Sequence, residues 1–150
     1  LHPFFEEEMI LIGSRSTQLP MTPPIRMRDL SRLDLILPSP RHGLRVELDR
    51  HLAAEEITLA PRLELDSLPG LAEVVSTSSY LSVLPTLAVS RGLADGSLKG
   101  YRIVEPRILR QLVITHHPGQ PMNPAAMKLV ELMGEELKST SRELRGRLIG

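Results

Sequence analysis

Leu33-Asp34-Leu35-Ile36-Leu37-Pro38-Ser39-Pro40-Arg41-His42-Gly43-Leu44-Arg45 decides the fold class. Its first five residues are an apolar run of strand length, stopped by Pro38 and Pro40 because proline fixes φ and brings no N–H to a ladder. Beyond the loop, Leu44, Leu48 and Leu52 fall four apart while Arg45, Glu47, Asp49 and Arg50 lie mostly elsewhere. That is the stripe of an amphipathic helix over Gly43 to Glu55. A buried strand hands over to a helix through a short loop.

The alternation repeats on both sides. Upstream, Met9 to Gly13 is a second strand-length apolar run. Downstream, Leu63-Glu64-Leu65 reads as a short strand, and Asp66-Ser67 offers an N-cap oxygen to a helix containing Leu71, Val74 and Val75. Leu81 to Leu84 is a strand closed by Pro85, and Thr86 to Leu93 a short helix with Gly96 just past its end. Leu98 to Val104 and Ile108 to Thr115 read as strands. Asn123-Pro124 pairs a capping residue with proline at the first helical position, opening a helix with Ala126, Leu129, Val130, Met133 and Leu137 on its apolar face. Gly134 predicts an early end to that helix, leaving residues 135–150 as a loosely held charged tail. Strands separated by helices predict an α/β protein with a mostly parallel sheet covered on both faces. Ligands of such sheets bind at the carboxyl ends of the strands, here the loops after Leu37, Leu65 and Leu84.

Lys and Arg number 18 and Asp and Glu 18, so the chain lacks the basic excess that nucleic-acid contact needs. The absence of cysteine excludes disulfides, thiolate metal sites and thiol catalysis. The uncharged stretch from Val74 to Ser90 is rich in Ser and Thr and interrupted by Pro85, so it does not read as a membrane span. Leu1 to Glu8 carries no export signal, which makes a cytoplasmic location the expectation. His42 and His51 lie nine apart on one helix and so on opposite faces, and the adjacent His116 and His117 point to opposite sides of a strand. No metal site and no cofactor are predicted.

Glu6 to Glu8, Glu55-Glu56 and Glu135-Glu136 sit at element ends, where solvent rather than acid–base chemistry is their expected partner. There is no G-x-S-x-G turn, and Gly92 to Gly100 fails the spacing of a phosphate loop. The chain does not read as an enzyme. One loop has the makings of a ligand site: the Ser39 hydroxyl, the free N–H groups of the first helical turn, Arg41 and Arg45 could converge on an anion, with Gly43 admitting close approach. The alternative is that Ser39 merely caps the helix while both arginines face water. Ser39, Pro40, Arg41, His42 and Gly43 are the candidate ligand-binding residues.

These segments resemble a known family in order and spacing. Leu33 to Ser39 with His42-Gly43-Leu44-Arg45, Leu63 to Leu68, Leu81 to Pro85, Gly96-Ser97-Leu98 before Glu105-Pro106, Arg110 to Ile114, and Asn123-Pro124-Ala125-Ala126 with Leu129-Val130 and Leu132 look like the effector-binding region of LysR-type transcriptional regulators. The resemblance implies a two-lobed fold similar to periplasmic solute-binding proteins, with a small inducer, a carboxylate or another anion, held between the lobes. It implies a second lobe over 17–108, a first lobe assembled from 1–16 and 109–150, and a hinge of two crossing strands near Met9 to Gly13 and Ile108 to Thr115. The loop Pro38 to His42 would contribute to the inducer site. DNA would be contacted only through a helix-turn-helix domain outside this chain, and such regions form homo-oligomers. Measured against the family, the winged helix-turn-helix and the opening βαβ portion of the first lobe have no counterpart before Leu1, so an N-terminally truncated regulator is expected. Ser78 and Tyr80 stand where the family has a glycine pair, and Tyr80 is expected to project toward the cleft. A solute-binding component of a transporter would share the fold and is the alternative.

Overall fold

The computed structural model describes residues 2–150. Its spine is β1 (His2–Ser14), in which Met9, Ile10, Leu11 and Ile12 are all fully buried. Alternation divides them: Met9 and Leu11 enter one hydrophobic core, Ile10 and Ile12 the other, because successive strand side chains point to opposite faces. The run has no polar face because neither side of the strand meets water.

The first half of β1 pairs antiparallel with β8 (Ile108–Ile114), from His2 opposite Ile114 to Met9 opposite Ile108. Its second half lies between β5 (Ser82–Pro85) and β6 (Leu98–Tyr101), again antiparallel to both. Among the described residues, parallel pairing joins β2 (Ile25–Arg26) with β7 (Ile103–Val104) and β3 (Ile36–Leu37) with β4 (Leu63–Glu64), with single bridges from Leu35 to Leu81 and from Tyr101 to Ile149. The expectation of a mostly parallel sheet is therefore corrected for the four-stranded sheet around β1. A strand buried on both faces reads alike in sequence whichever way it runs.

Helices cover both faces, as the alternation requires. α1 (Gly43–Ala54) buries Leu48 and Leu52 in one core, while α2 (Leu68–Ser76) buries Leu71 and Val75 in the other. The predicted cap of α2 forms, Ser67 Oγ accepting from the Gly70 N–H at 3.2 Å. After β5 the chain makes a single 3-10 turn, Thr86–Val89, before α3 (Ser90–Asp95), which ends on Gly96 at φ 78°, the left-handed conformation that favours glycine. The strand expected over Leu98 to Val104 breaks at Arg102, whose N–H donates to Ile149 and whose carbonyl accepts from Ile25, so the chain changes neighbours there. The turn before β5 manages without glycine because Ser78 Oγ accepts the Tyr80 N–H at 3.2 Å. Tyr80 is half-buried and packs on the core that α2 helps to form.

α4 (Pro124–Arg145) opens as predicted, with Asn123 Oδ1 accepting from the Ala126 N–H at 2.8 Å. It does not stop at Gly134. A Cβ there would lie 3.2 Å from the Phe4 ring, so this glycine serves close packing of helix on strand. Nor are residues 135–150 loose: Leu144 is buried, Leu148 packs on the core, and the Ile149 N–H donates to the Gly100 carbonyl at 2.9 Å. The apolar face divides. Ala126, Val130 and Leu137 are half-buried, whereas Leu129 and Met133 join Met127 and Leu132 at 47 to 58% exposure.

Candidate functional site

The loop after β3 is built from below by Arg45. Its side chain is 8% exposed; Nη1 donates to the Pro38 carbonyl at 3.0 Å and Nε to Asp49 Oδ1, one turn on, also at 3.0 Å. Arg45 is therefore withdrawn from any anion above the loop. A buried carbonyl without an N–H partner needs a donor, and the guanidinium four positions from Asp49 supplies one.

Ser39 is also engaged. Its N–H donates to Asp66 Oδ1 at 2.7 Å and its hydroxyl to Asp66 Oδ2 at 3.0 Å. The two bonds from Ser39 hold the Asp66 carboxyl below the usual aspartate range, helped by the charges of His42 and Arg41. The chain itself supplies the anion for which Ser39 is fitted, and the loops after Leu37 and Leu65 are fastened together. The cap of α1 is His42 and not Ser39: its Nδ1 accepts from the Leu44 N–H at 3.2 Å. In the neutral ring that leaves the proton on Nε2. Pro40 and Arg41 are exposed beside the fastening.

His42 and Gly43 reach open space. With Leu44 and Glu47 of α1, Leu68 at the start of α2, and Arg110 and Gln111 of β8, they line a cavity of about 560 Å³. A Cβ on Gly43 would meet nothing within 4 Å. The first turns of two helices thus border one hollow, and their dipoles favour negative charge there. The hollow lies between an element of the predicted second lobe, α1, and one of the predicted hinge, β8. Ser39, Pro40 and Arg41 do not line it.

Arg110 stands opposite Glu7 in the β1–β8 register, with Nε 3.5 Å from Oε1. Glu7 is almost wholly buried; burial pushes its carboxyl above the usual range, only partly countered by Arg110 and the Leu87 N–H. Glu8, also buried, faces Arg107 at 3.2 Å and Arg102 at 3.5 Å. Across the cavity Glu47 accepts from Arg50 Nη2 at 2.6 Å, which holds its carboxyl below the ordinary value. His51 Nε2 lies 2.9 Å from the Leu109 carbonyl and ties α1 to β8.

The candidate residues from sequence therefore divide. His42 and Gly43 reach the cavity, while Ser39 supports the loop through Asp66. Sequence reasoning did not single out Arg110, Gln111, Glu47 and Leu68 as lining this cavity; the signals present were that Leu68 follows a capping serine and that Arg110-Gln111 lies on the strand expected as a hinge. Among the described residues, no group of three or more His, Cys, Asp or Glu side chains could hold a metal ion, and no helix is long and apolar enough to cross a membrane.

Comparison with known proteins gives one answer. The chain is 22% identical over 140 residues to a hydrogen peroxide-inducible genes activator of Haemophilus influenzae, covering 91% of this chain and 46% of that protein. It is thus similar to a protein about twice its length. The effector binding domain of QuiR in complex with shikimate superposes with a TM-score of 0.69 at 19% identity, over 99% of this chain and 66% of that one. A mutant of OxyR from Corynebacterium glutamicum with hydrogen peroxide bound gives 0.75 at 14% identity, over 99% and 48%. These likenesses show the α/β fold of the two-lobed, periplasmic-binding-protein-like effector domains. The family profile described as LysR substrate binding domain matches residues 1–138, and the chain belongs to that family.

Proposed function

We propose that this chain is the ligand-sensing portion of a LysR-type transcriptional regulator and binds a small anionic inducer between two lobes, 17–108 on one side and 1–16 with 109–150 on the other. The observation that carries the reading is the cavity where His42 and Gly43 at the start of α1 face Arg110 and Gln111 of β8. An anion there meets a helix N-terminus, an imidazole N–H and a guanidinium, while Leu44 and Leu68 cover its apolar body. Ser39, Pro40 and Arg41 act behind that wall: Ser39 locks the loop to Asp66, and Arg41 adds positive potential. The shikimate-bound domain to which this one is similar supports an organic acid as the class of ligand. DNA is contacted through a helix-turn-helix domain outside these 150 residues, in a cytoplasmic homo-oligomer.

Binding switches the regulator only if the inducer prefers one arrangement of the lobes, since equal affinity for both shifts nothing. Contacts on α1 and β8 at once provide that preference. The test is a titration of the isotopically labelled chain with benzoate and shikimate, followed by amide shifts. Changes centred on His42 to Leu44 and Arg110-Gln111 are expected, with Arg110→Gln weakening binding about tenfold or more through loss of a charge-assisted hydrogen bond. Shifts centred elsewhere, or undiminished binding by Arg110→Gln, would overturn the assignment.

A further inference from the structure

The cavity that presents Arg110 also presents a carboxylate. Glu47 lies four residues after Gly43, on the same face of α1 and one turn further along, about 6 Å by helix rise. Its two described partners, Arg50 and His51, both meet Oε1, at 2.6 and 3.5 Å. Oε2 takes no hydrogen bond from a described residue. The Arg50 bond holds the carboxyl below its ordinary value while leaving Oε2 free to accept, so a ligand entering the cavity meets a carboxylate acceptor.

A site with positive character at one end and a carboxylate at the other discriminates among anions. A ligand that is only an anion leaves Glu47 facing apolar or like-charged surface, and a second carboxylate there is repelled. A ligand carrying a donor at the end away from its carboxylate satisfies both ends. We infer that the cavity takes organic acids that also bear a hydroxyl or ammonium group, with the acid toward Arg110 and the donor toward Glu47, which makes Glu47 the specificity-determining residue. The inference rests on the cavity being the ligand site.

Four para-substituted benzoates test it: para-toluate, para-(hydroxymethyl)benzoate, para-(aminomethyl)benzoate and terephthalate, each titrated by calorimetry and amide shifts into the wild type, Glu47→Gln and Arg110→Gln. The two donor-bearing acids bind the wild type about tenfold tighter than para-toluate, with terephthalate weakest. Glu47→Gln erases the advantage of the aminomethyl compound and admits terephthalate, while Arg110→Gln weakens all four. If para-toluate or terephthalate binds the wild type as well as the donor-bearing acids, or Glu47→Gln keeps the order, the specificity assignment is wrong while the Arg110 dependence leaves the cleft standing. If Arg110→Gln weakens none of the four, or none binds at the cavity, the cleft assignment falls and takes this one with it.

Discussion

Replacing Arg45 with methionine removes the support of the ligand loop while keeping most of the stem's volume. Two interactions are lost, and they are unequal. The bond to the Pro38 carbonyl is buried, so its loss leaves an acceptor without water or donor, at about 1.5–3 kcal/mol for a charge-assisted bond. The pair with Asp49 is different: the Asp49 side chain is 44% exposed, and one-turn pairs of that kind contribute at most about 0.5 kcal/mol. Arg45→Met should therefore destabilise the chain by about 2–3 kcal/mol, lowering its urea midpoint by about 1 M and its Tm by about 5–10 °C. Asp49→Asn should cost under about 0.5 kcal/mol. Urea denaturation followed by circular dichroism measures both, with an unchanged m-value as the check that compactness is not altered. If Asp49→Asn costs as much as Arg45→Met, or Arg45→Met moves the midpoint by less than about 0.2 M, the buried carbonyl is not what Arg45 supports.

Ser82 sits fully buried in β5, next to the spine, and its hydroxyl has no hydrogen-bond partner among the described residues. Ser82→Ala removes an unsatisfied polar group at no cost in packing and should raise stability by about 1–2 kcal/mol in the same assay; destabilisation would mean that the hydroxyl has a partner. The fastening between Ser39 and Asp66 should fail in acid. Because the folded carboxyl is held below its ordinary value, its contribution is complete above the unfolded range and disappears as pH falls through the depressed folded value. The Ser39 amide shift should therefore titrate with a midpoint below that of an ordinary aspartate and stay flat in Asp66→Asn, and a midpoint at or above the ordinary value would contradict the two bonds.

Local signals were legible wherever they act over one turn of chain. Ser67 and Asn123 cap their helices as read, Gly96 ends α3, and the three leucines of α1 face inward, because a cap and a stripe are decided by neighbours within four residues. Gly134 was misread for the complementary reason. As a helix breaker it costs about 1 kcal/mol, and that is outweighed here by the packing of α4 on Phe4 and the burial of Leu144 beyond it. The partners of the anion loop were not legible. His42 and Gly43 reach the cavity, but the donors of Ser39 were already claimed by a carboxylate 27 residues away, and Arg45 was drawn under the loop.

By itself the sequence determined the succession of strands and helices, their caps, and the double-sided burial of the sheet, since each follows from periodicity and from what proline, glycine and short hydroxyl residues do to their own backbone. Tertiary structure alone decided that β1 runs antiparallel through the centre of the sheet, that Asp66 answers Ser39, and that Arg110 and Glu47 border one cavity. Periodicity reports that a face is covered but not which segment covers it. A charge acquires its role only from the group that folding brings opposite.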